Sequence, residues 1–369
     1  MMGLFRRKNG KVIMLESGTP DSFAIGQALD ALAGGGTMIF PTDTVYGLGC
    51  RADRSRGVKE IYRLKGRGRG KPLALLLESA GQMDRVSSGR PDYVHRLIER
   101  YWPGPLTLVV SATDEAMGWR VGKGSTIGLR VPDHQLITEI IKQAGIPLAA
   151  TSANLSGSEE AHTAGQAISS MGGTADLVLD GGELPRRPPS AVLDVTGERP
   201  VLLRKGGLTR QQLAEAAGRP VKLGQMGVLF VCTGNTCRSP MAEGLLRHML
   251  PPEWRERVTV RSCGTGALPG IPAAENSRLA CRRQGFEIER HRSSACTRGL
   301  LEESDLVIAM EAKHRQDINR LVPEVPVRLM AVDGVPDPIG GGPEDYLRTM
   351  ELLKGEMPDV LELIRQELG

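Results

Sequence analysis

Aromatic residues and long apolar runs are both scarce in this sequence. Phe, Trp and Tyr make up 4% of the 369 residues, which predicts aliphatic cores. No stretch approaches the roughly 18 apolar residues of a membrane span, and the apolar stretch KVIML near the start is too short for an export signal. Neither sign of charge prevails, since 47 Lys and Arg face 43 Asp and Glu. These features predict a soluble cytoplasmic protein without membrane contact and exclude disordered, collagen-like or coiled-coil architectures.

The chain alternates apolar runs with helical patterns, and its length predicts two domains of the α/β class. In residues 1–217 several spacers are too short for a crossover helix, which predicts a mixed twisted sheet. Residues 218–227 hold three glycines without apolar periodicity, and we predict the linker there. Residues 228–369 open with a new strand and predict a Rossmann-like parallel sheet.

The expected elements are as follows. Strands are predicted at Val12–Leu15, Thr37–Phe40, Leu73–Leu77, Leu106–Val110, Ile127–Val131, Ile146–Ala150, Leu177–Leu179, Val192–Val195, Val201–Leu203, Val228–Val231, Val258–Arg261 and Leu306–Ala309. Helices are predicted at Asp21–Leu32, Val58–Leu64, Tyr93–Tyr101, Gln135–Gln143, Ala161–Met171, Thr209–Ala217, Ala273–Gln284 and Tyr346–Leu368.

The most distinctive segment is VCTGNTCRSP, residues 231–240. Cys232 and Arg238 flank five residues between an apolar strand and a helix that we expect Ser239 to cap. A loop in that position aims backbone N–H groups at an oxyanion, and Arg238 can hold two phosphate oxygens. These positive surroundings should lower the pKa of the Cys232 thiol and make it a nucleophile. Gly234 should let the loop turn and Asn235 should accept a left-handed conformation.

Residues 228–369 resemble the low-molecular-weight protein phosphatase family over their whole length. The similar segments are VCTGNTCRSPMAEG, VRSCGTGALPGIPA, ESDLVIAM and VPDPIGG. The resemblance implies that a cysteine attacks phosphorus to give a phosphocysteine, and that the Asp of the D-P pair protonates the leaving group and then activates water. No cofactor is implied. The catalytic roles fall on Cys232, Arg238 and Asp337, and the phosphate loop on Thr233, Gly234, Asn235, Thr236, Cys237 and Ser239.

Two positions bear on the phosphatase substrate. Tyrosine phosphatases of this family resemble one another in an apolar residue before the second loop cysteine and in aromatic residues after D-P, whereas this chain has Thr236 and Ile339. The pattern is more similar to bacterial protein-arginine phosphatases, so phosphoarginine is the first expectation and phosphotyrosine the alternative.

Cysteine chemistry leaves two further alternatives. The resemblance suggests a reversible disulfide between Cys232 and Cys237, against a buried apolar role for Cys237. Their spacing does not fit a zinc site, and no metal site is expected. Met310, where arsenate reductases on this scaffold need a cysteine, argues against arsenate reduction.

Four segments stand out in the first 217 residues: FPTDTVYGLG, KGRGRGKPL, WPGPLTLVV and ATSANLSG. Ser, Thr and Asn at strand ends, beside a loop of Lys, Arg and Gly, suit a phosphate-bearing ligand. The basic loop lacks the register of a Walker loop. Alone, the basic loop would more often be a solvated loop or a nucleic-acid patch. The prediction of a phosphate-bearing ligand therefore depends on the four segments together.

Together these segments resemble the YrdC-like family of threonylcarbamoyl-AMP synthases over about Ser17–Ala217. Further similar segments are IGLRVP, PSAVLDV and LLRKGG. The resemblance implies that L-threonine, bicarbonate and ATP give threonylcarbamoyl-AMP and pyrophosphate, with Mg²⁺ accompanying ATP. The product would supply the transferase machinery that modifies adenosine 37 of tRNA. ATP is expected to face Lys65, Arg67, Thr126, Ser152, Asn154 and Arg204, and threonine to face Thr42, Arg130 and Ser190.

We therefore predict a fusion of two enzymes, a YrdC-like synthase and a phosphatase that acts on phosphoproteins. One departure from the family pattern is Gly68, which follows Arg67 where the family often has Pro. The competing interpretation is an RNA-binding module without synthesis, joined to a tyrosine phosphatase. It is disfavoured because RNA binding needs cations but neither Ser152 nor Asn154. A phosphatase domain that serves only as a scaffold is the weakest interpretation.

Overall fold

The structure is a computed structural model that describes residues 10–15, 21–68, 70–171 and 175–369. The chain divides into two compact units between Lys222 and Leu223, inside the segment 218–227. Across the described ranges, no helix is both long and apolar enough to cross a membrane.

The first unit is built on a sheet of eleven strands within the described residues. These are β1 (Lys11–Met14), β2 (Met38–Phe40), β3 (Gly47–Arg51), β4 (Ala74–Leu76), β5 (Leu106–Ser111), β6 (Thr126–Arg130), β7 (Leu148–Ser152), β8 (Leu177–Asp180), β9 (Ala191–Asp194), β10 (Val201–Arg204) and β11 (Lys222–Leu223), the last at the boundary. Their order is β1-β8-β2-β3-β7-β4-β6-β5-β9-β10-β11. The sheet contains parallel pairs such as β4–β6 and antiparallel pairs such as β5–β6, so the predicted mixed sheet is confirmed.

Helices accompany this sheet and bury its apolar surface. They are α1 (Ser22–Ala33), α2 (Ser55–Leu64), α3 (Met83–Val86), α4 (Tyr93–Tyr101), α5 (Asp114–Gly118), α6 (Gln135–Ala144), α7 (Ala164–Ser170) and α8 (Arg210–Ala217). Asp21 caps α1 by accepting the Phe23 N–H at 2.8 Å, as the sequence predicted. Apolar side chains of α1 and α6 share one core cluster with strands β2, β7 and β8.

Several elements of the first unit differ from the prediction: α3, α5 and β11 were not expected, and two further differences have a clear local cause. The helix expected from Ala161 begins at Ala164, because Thr163 and Gln166 form a capping box there. The segment after Phe40 forms a hairpin whose second strand, β3, was not predicted. Gly47 and Gly49 hide the alternating pattern of β3, and they are glycines for a steric reason: an added Cβ would lie 2.8 and 3.0 Å from the Phe40 ring.

The second unit carries the predicted parallel sheet. Its strands are β12 (Met226–Cys232), β13 (Val258–Gly264), β14 (Leu306–Ala309) and β15 (Val327–Leu329), in the order β13-β12-β14-β15. All three neighbouring pairs are parallel. The strand expected at Val228 begins two residues earlier, at Met226, inside the segment predicted as linker. Its helices are α9 (Arg238–Met249), α10 (Glu275–Arg283), α11 (Arg298–Glu303), α12 (Ala312–Leu321) and α13 (Pro343–Leu368).

Parallel pairing determines where the loops of the second unit meet. The carboxyl ends of β12, β13, β14 and β15 lie at one edge of the sheet, because the strands run in the same direction. Below that edge, Leu229, Val231, Val307 and Ile318 belong to a buried apolar cluster. The core thus supports the loops at this edge.

Candidate active sites

The loop of residues 232–239 joins β12 to α9 at this carboxyl edge. Asn235 takes the left-handed conformation, with φ 54°, as predicted, whereas Gly234 does not adopt a positive φ. Gly264 at the end of β13 lies against the loop, since an added Cβ would come 2.3 Å from the Thr233 carbonyl oxygen. A glycine at that position is therefore required for the close approach of β13 to the loop.

Hydrogen bonds converge on the sulfur of Cys232, which is 2% exposed. Cys232 Sγ lies 3.0 Å from Ser239 Oγ and accepts the Asn235 N–H at 3.3 Å. The Asn235 side chain donates to Ser239 Oγ and Ser262 Oγ, both at 2.9 Å. Ser239 Oγ accepts from Asn235 and has two acceptors within reach of its own proton, the Cys263 carbonyl at 3.3 Å and the Cys232 sulfur. Ser239 was expected to cap α9, but that prediction is wrong: the cap position is Cys237, and Ser239 turns inward to the sulfur.

Arg238 is 1% exposed and its guanidinium faces two carboxylates. Nη1 donates to Glu311 Oε2 at 2.6 Å and to the Val335 carbonyl at 2.9 Å, and Nη2 donates to Asp337. Within the described part of the chain, Arg238 Nε is buried without a hydrogen-bond partner. A buried donor of this kind is available to an oxyanion. The structure thus brings together the residues predicted as nucleophile, clamp and acid.

The expected low pKa of Cys232 is not found. Burial raises the pKa of the Cys232 thiol, while hydrogen bonds from Ser239 and Asn235 and the charge of Arg238 lower it. The prediction counted the charge of Arg238 but not the burial of the sulfur, which is the largest cause. The structure also pairs the charge of Arg238 with Glu311 and Asp337.

Residues that the sequence did not single out complete the site. Cys237 Sγ contacts Tyr346 Oη at 3.5 Å, so the two loop thiols have different partners and both are free. Glu311, which pairs with Arg238, lies two residues after the end of β14. His314 Nε2 lies 2.8 Å from Thr233 Oγ1. A search for polar residues just past each predicted strand would have found Glu311.

In the first unit, the predicted ATP residues Lys65, Ser152 and Asn154 form one cluster. Lys65 is 2% exposed although it carries an ammonium group. Its Nζ donates to the Ser152 carbonyl and, at 3.0 Å, to Asn154 Oδ1, and Ser152 Oγ donates to Asn154 Oδ1 at 2.6 Å. The pKa of Lys65 is lowered to about 7, mainly by burial and also by the charges of Arg67 and Arg204, with Glu160 opposing.

The other predicted ATP residues have local partners. Arg67 donates to the carbonyls of Lys71 and Pro72 in its own loop, and Thr126 Oγ1 donates to the Lys123 carbonyl. Among the described residues, neither side chain hydrogen-bonds to the Lys65 cluster. The positive charge of Arg67 nevertheless acts on the Lys65 cluster, since it lowers the pKa of Lys65.

Arg204 connects the predicted ATP and threonine residues. Its Nη2 donates to the Ser190 carbonyl at 2.8 Å and to Ser190 Oγ at 3.1 Å, and Ser190 Oγ lies 2.9 Å from Thr107 Oγ1. Burial lowers the pKa of Arg204, with Glu160 opposing and the charges of Arg130 and Arg67 adding to the effect. The cations of the unit therefore share one electrostatic environment.

Thr42, in the turn between β2 and β3, and Arg130, at the end of β6, both contact Thr44 Oγ1. Thr42 Oγ1 donates to the Val45 carbonyl at 2.6 Å. Arg130 Nη2 donates to Asp43 Oδ1 at 2.6 Å, in an ion pair whose side chains are both 8% exposed, and Nη1 donates to Thr44 Oγ1 at 3.2 Å. Asp43 was not predicted as a site residue. The sequence placed it beside Thr42, but only the fold pairs it with Arg130.

Fold and sites together define an α/β protein with a basic site at hydroxyl- and amide-bearing strand ends in one unit and a cysteine phosphate loop in the other. The first unit matches the Sua5, YciO and YrdC family model, described as telomere recombination, over residues 30–206. The second matches the model for low molecular weight phosphotyrosine protein phosphatases over residues 227–368.

Curated relatives agree for the first unit. A threonylcarbamoyl-AMP synthase of Bacillus subtilis is 37% identical over 195 residues, which are 53% of this chain and 56% of that protein. A putative threonylcarbamoyl-AMP synthase of Mycobacterium tuberculosis is 35% identical over 198 residues, 53% of this chain and 90% of that protein. The chain thus spans little more than half the length of the Bacillus protein. It belongs to the Sua5/YrdC/YciO family through its first unit and to the low-molecular-weight phosphatase family through its second.

Two solved structures are similar to the chain. Sua5 of Pyrococcus abyssi, solved with L-threonine, has a TM-score of 0.54 at 22% identity and covers 94% of this chain and 98% of its own, which is a likeness of fold. The YwlE arginine phosphatase of Geobacillus stearothermophilus is 32% identical, with a TM-score of 0.35, and covers 38% of this chain and 94% of its own.

Proposed function

We propose that the chain is a bifunctional enzyme, whose first unit forms threonylcarbamoyl-AMP and pyrophosphate from L-threonine, bicarbonate and ATP. The observation that carries this proposal is the cluster of Lys65, Ser152 and Asn154 beside the Arg204–Ser190 pair. A buried lysine among hydroxyl, amide and guanidinium groups suits a polyphosphate, because it gains a partner of opposite charge on binding. The product would feed the modification of adenosine 37 in tRNA.

The residues divide the work between the two substrates. Lys65, Arg67 and Arg204 would neutralise the triphosphate and stabilise the charge that develops at the α-phosphorus. Arg130 would hold the threonine carboxylate. The carbamate formed from the threonine amine and bicarbonate would then attack the α-phosphorus, and pyrophosphate would leave. Mg²⁺ would enter as MgATP, and no group of three or more metal-binding side chains is found in the described residues, so phosphate oxygens would supply most of its ligands.

The synthase proposal is tested by pyrophosphate release. Release should require ATP, L-threonine and bicarbonate together, and Lys65→Ala should abolish it. Lys59→Ala, on the exposed face of α2, is the matched lysine control and should leave release unchanged. Protein that binds RNA but releases no pyrophosphate with all three substrates would instead support the RNA-binding interpretation.

The second unit, on this proposal, is a cysteine-dependent protein phosphatase. Two observations carry it: Arg238 contacts Asp337, and the Cys232 sulfur accepts from the Asn235 N–H and lies within hydrogen-bond distance of Ser239 Oγ. The Cys232 thiolate would attack phosphorus as the bond to the leaving group breaks, and Asp337 would give that group its proton. Water would then attack the phosphocysteine, with Asp337 as base and the thiolate as leaving group.

Phosphoarginine is the proposed substrate, and phosphotyrosine is the second candidate. Thr236 places a hydroxyl in the loop, and two exposed side chains of other loops are aliphatic: Leu268 is 71% exposed and Ile339 is 70% exposed. Neither side chain offers an aromatic face on which a phosphotyrosine ring could stack. A hydroxyl can instead hydrogen-bond to a guanidinium.

Kinetics on the two substrates test this assignment. The reduced protein should prefer phosphoarginine, and Thr236→Ile should shift the preference toward phosphotyrosine. Cys232→Ser supplies the blank and Thr265→Ile, outside the loop, the matched control. Equal turnover of phosphotyrosine that ignores Thr236 would leave a tyrosine phosphatase. We also place the enzyme in the cytoplasm, since all six cysteines are free.

A further inference from the structure

His314 is a fully buried histidine, 0% exposed, that the proposed phosphatase chemistry does not use. It lies in the first turn of α12, and its two ring nitrogens contact different parts of the site. Nε2 lies 2.8 Å from Thr233 Oγ1, in the phosphate loop. Nδ1 accepts the backbone N–H of Glu311 at 3.1 Å. The ring therefore joins the phosphate loop to the residue that pairs with Arg238.

These contacts determine where the proton of His314 lies. Nδ1 accepts a hydrogen bond, so the proton of the neutral ring is on Nε2, which donates to Thr233 Oγ1. The ring is neutral at pH 7 because its pKa is lowered to about 4, mainly by burial. Among the charges that face it, Arg238 and Lys313 also lower the pKa, while Glu311 and Asp317 raise it.

The hydroxyl of Thr233 gains a defined orientation from this bond. Its oxygen accepts from His314, so its own proton remains available. Thr233 is exposed at the carboxyl edge of the sheet and directly follows the nucleophile. A phosphoryl group bonded to Cys232 Sγ would lie next to this residue. The hydroxyl is thus a donor placed beside a bound oxyanion.

We propose that His314 is a positioning residue of the phosphate site, which orients the Thr233 hydroxyl toward the oxyanion and holds Glu311 where its carboxylate meets Arg238. This inference rests on the phosphatase activity proposed above. Both links pass through one ring, so substitution of His314 should disturb the loop and the clamp together. A histidine with a merely structural role would alter stability without altering oxyanion affinity.

Three variants and a matched control test the proposal. His314→Asn keeps an acceptor near the Glu311 N–H but is too short to donate to Thr233, and Thr233→Val removes the hydroxyl. Each should lower kcat/KM for p-nitrophenyl phosphate and the affinity for orthovanadate by about tenfold, and the double variant should lose no more than either single one. His248→Asn, near the end of α9 and stacked on Phe286, should stay within about twofold of wild type. Thermal melts check that each variant folds.

Nitrogen-15 NMR of labelled histidine reads the geometry independently of turnover. It should show His314 as the neutral Nε2–H tautomer at pH 6. The proposal is overturned if the ring is charged or carries its proton on Nδ1, if the two single losses add, or if His314→Asn behaves like His248→Asn. Wild-type protein with the expected tautomer but neither turnover nor vanadate binding would instead refute the phosphatase function, and the positioning role with it.

Discussion

ATP binding should take up a proton above pH 7, and Lys65 is the group that accepts it. Burial lowers the pKa of Lys65 to about 7, so half of the free protein carries the ammonium at that pH. A triphosphate in contact with this side chain stabilises the charged form and raises its pKa. Binding and protonation of Lys65 are therefore linked, and ATP affinity should fall as the pH rises.

The size of the effect follows from the fraction of protonated Lys65. That fraction is about one half at pH 7 and about one hundredth at pH 9, so MgATP should bind about 50-fold more weakly at pH 9, or about 2.3 kcal/mol. The free energy of unfolding should change with pH in the opposite direction. In the unfolded chain Lys65 keeps its proton up to about pH 10.4, whereas the folded protein loses it near pH 7. The free energy of unfolding of wild type, relative to Lys65→Met, should therefore rise by about 2.3 kcal/mol from pH 7 to 9.

Calorimetric titration of MgATP at pH 7, 8 and 9, in buffers of different ionisation enthalpy, measures both affinity and proton uptake. Urea unfolding of wild type and Lys65→Met at the same pH values measures the stability term. Lys65→Arg is the matched control, because arginine keeps its charge throughout this range. An affinity that is flat from pH 7 to 9 in wild type, or that falls equally in Lys65→Arg, would refute the reasoning.

Three further outcomes are expected. Asp337→Asn should lower kcat on phosphoarginine by about a hundredfold but affect p-nitrophenyl phosphate less, because nitrophenolate needs little protonation as it leaves; equal losses in steady-state kinetics would contradict this. Asp43→Asn should leave the buried Arg130 charge unpaired and lower the free energy of unfolding by about 3 kcal/mol in urea unfolding. An unchanged free energy of unfolding would show that the ion pair is not essential for stability. His314 takes up a proton below about pH 6.5 in the unfolded chain but only near pH 4 in the folded protein. The free energy of unfolding should therefore fall by about 3 kcal/mol as the pH is lowered between these values. His314→Asn should remove this pH dependence of stability, as measured by melts at different pH values.

Local patterns predicted most of the fold and the centre of the phosphatase site. Cys232 and Arg238 are separated by a short loop between strand and helix, so their proximity follows from the sequence alone. Strand β3 could not be predicted, since Gly47 and Gly49 remove the side chains from which alternation is recognised. The close packing of Gly47 against Phe40 that explains this choice exists only in the folded hairpin.

Contacts between distant segments explain what the sequence left out of the sites. Asp43 meets Arg130 across 87 residues, and Glu311 meets Arg238 across 73. Such pairs depend on strand order, which a single sequence with short strands does not specify. The error on the pKa of Cys232 has a related origin, because burial of the sulfur is the largest cause of the raised pKa and depends on how distant segments pack around the loop.

The pairing of Arg238 leads to a prediction about the phosphatase before substrate binds. Arg238 is buried between Glu311 and Asp337, so its charge reaches the Cys232 sulfur only in part. Asp337→Asn should release part of this charge and lower the pKa of the Cys232 thiol, even though it slows turnover. The rate of alkylation by iodoacetamide as a function of pH measures that pKa directly, and Asp333→Asn, an exposed carboxylate on the same loop, is the matched control. A Cys232 thiol that titrates in Asp337→Asn as it does in wild type would contradict this prediction. That result would mean that burial, and not the carboxylates paired with Arg238, keeps the pKa of the thiol high before substrate binds.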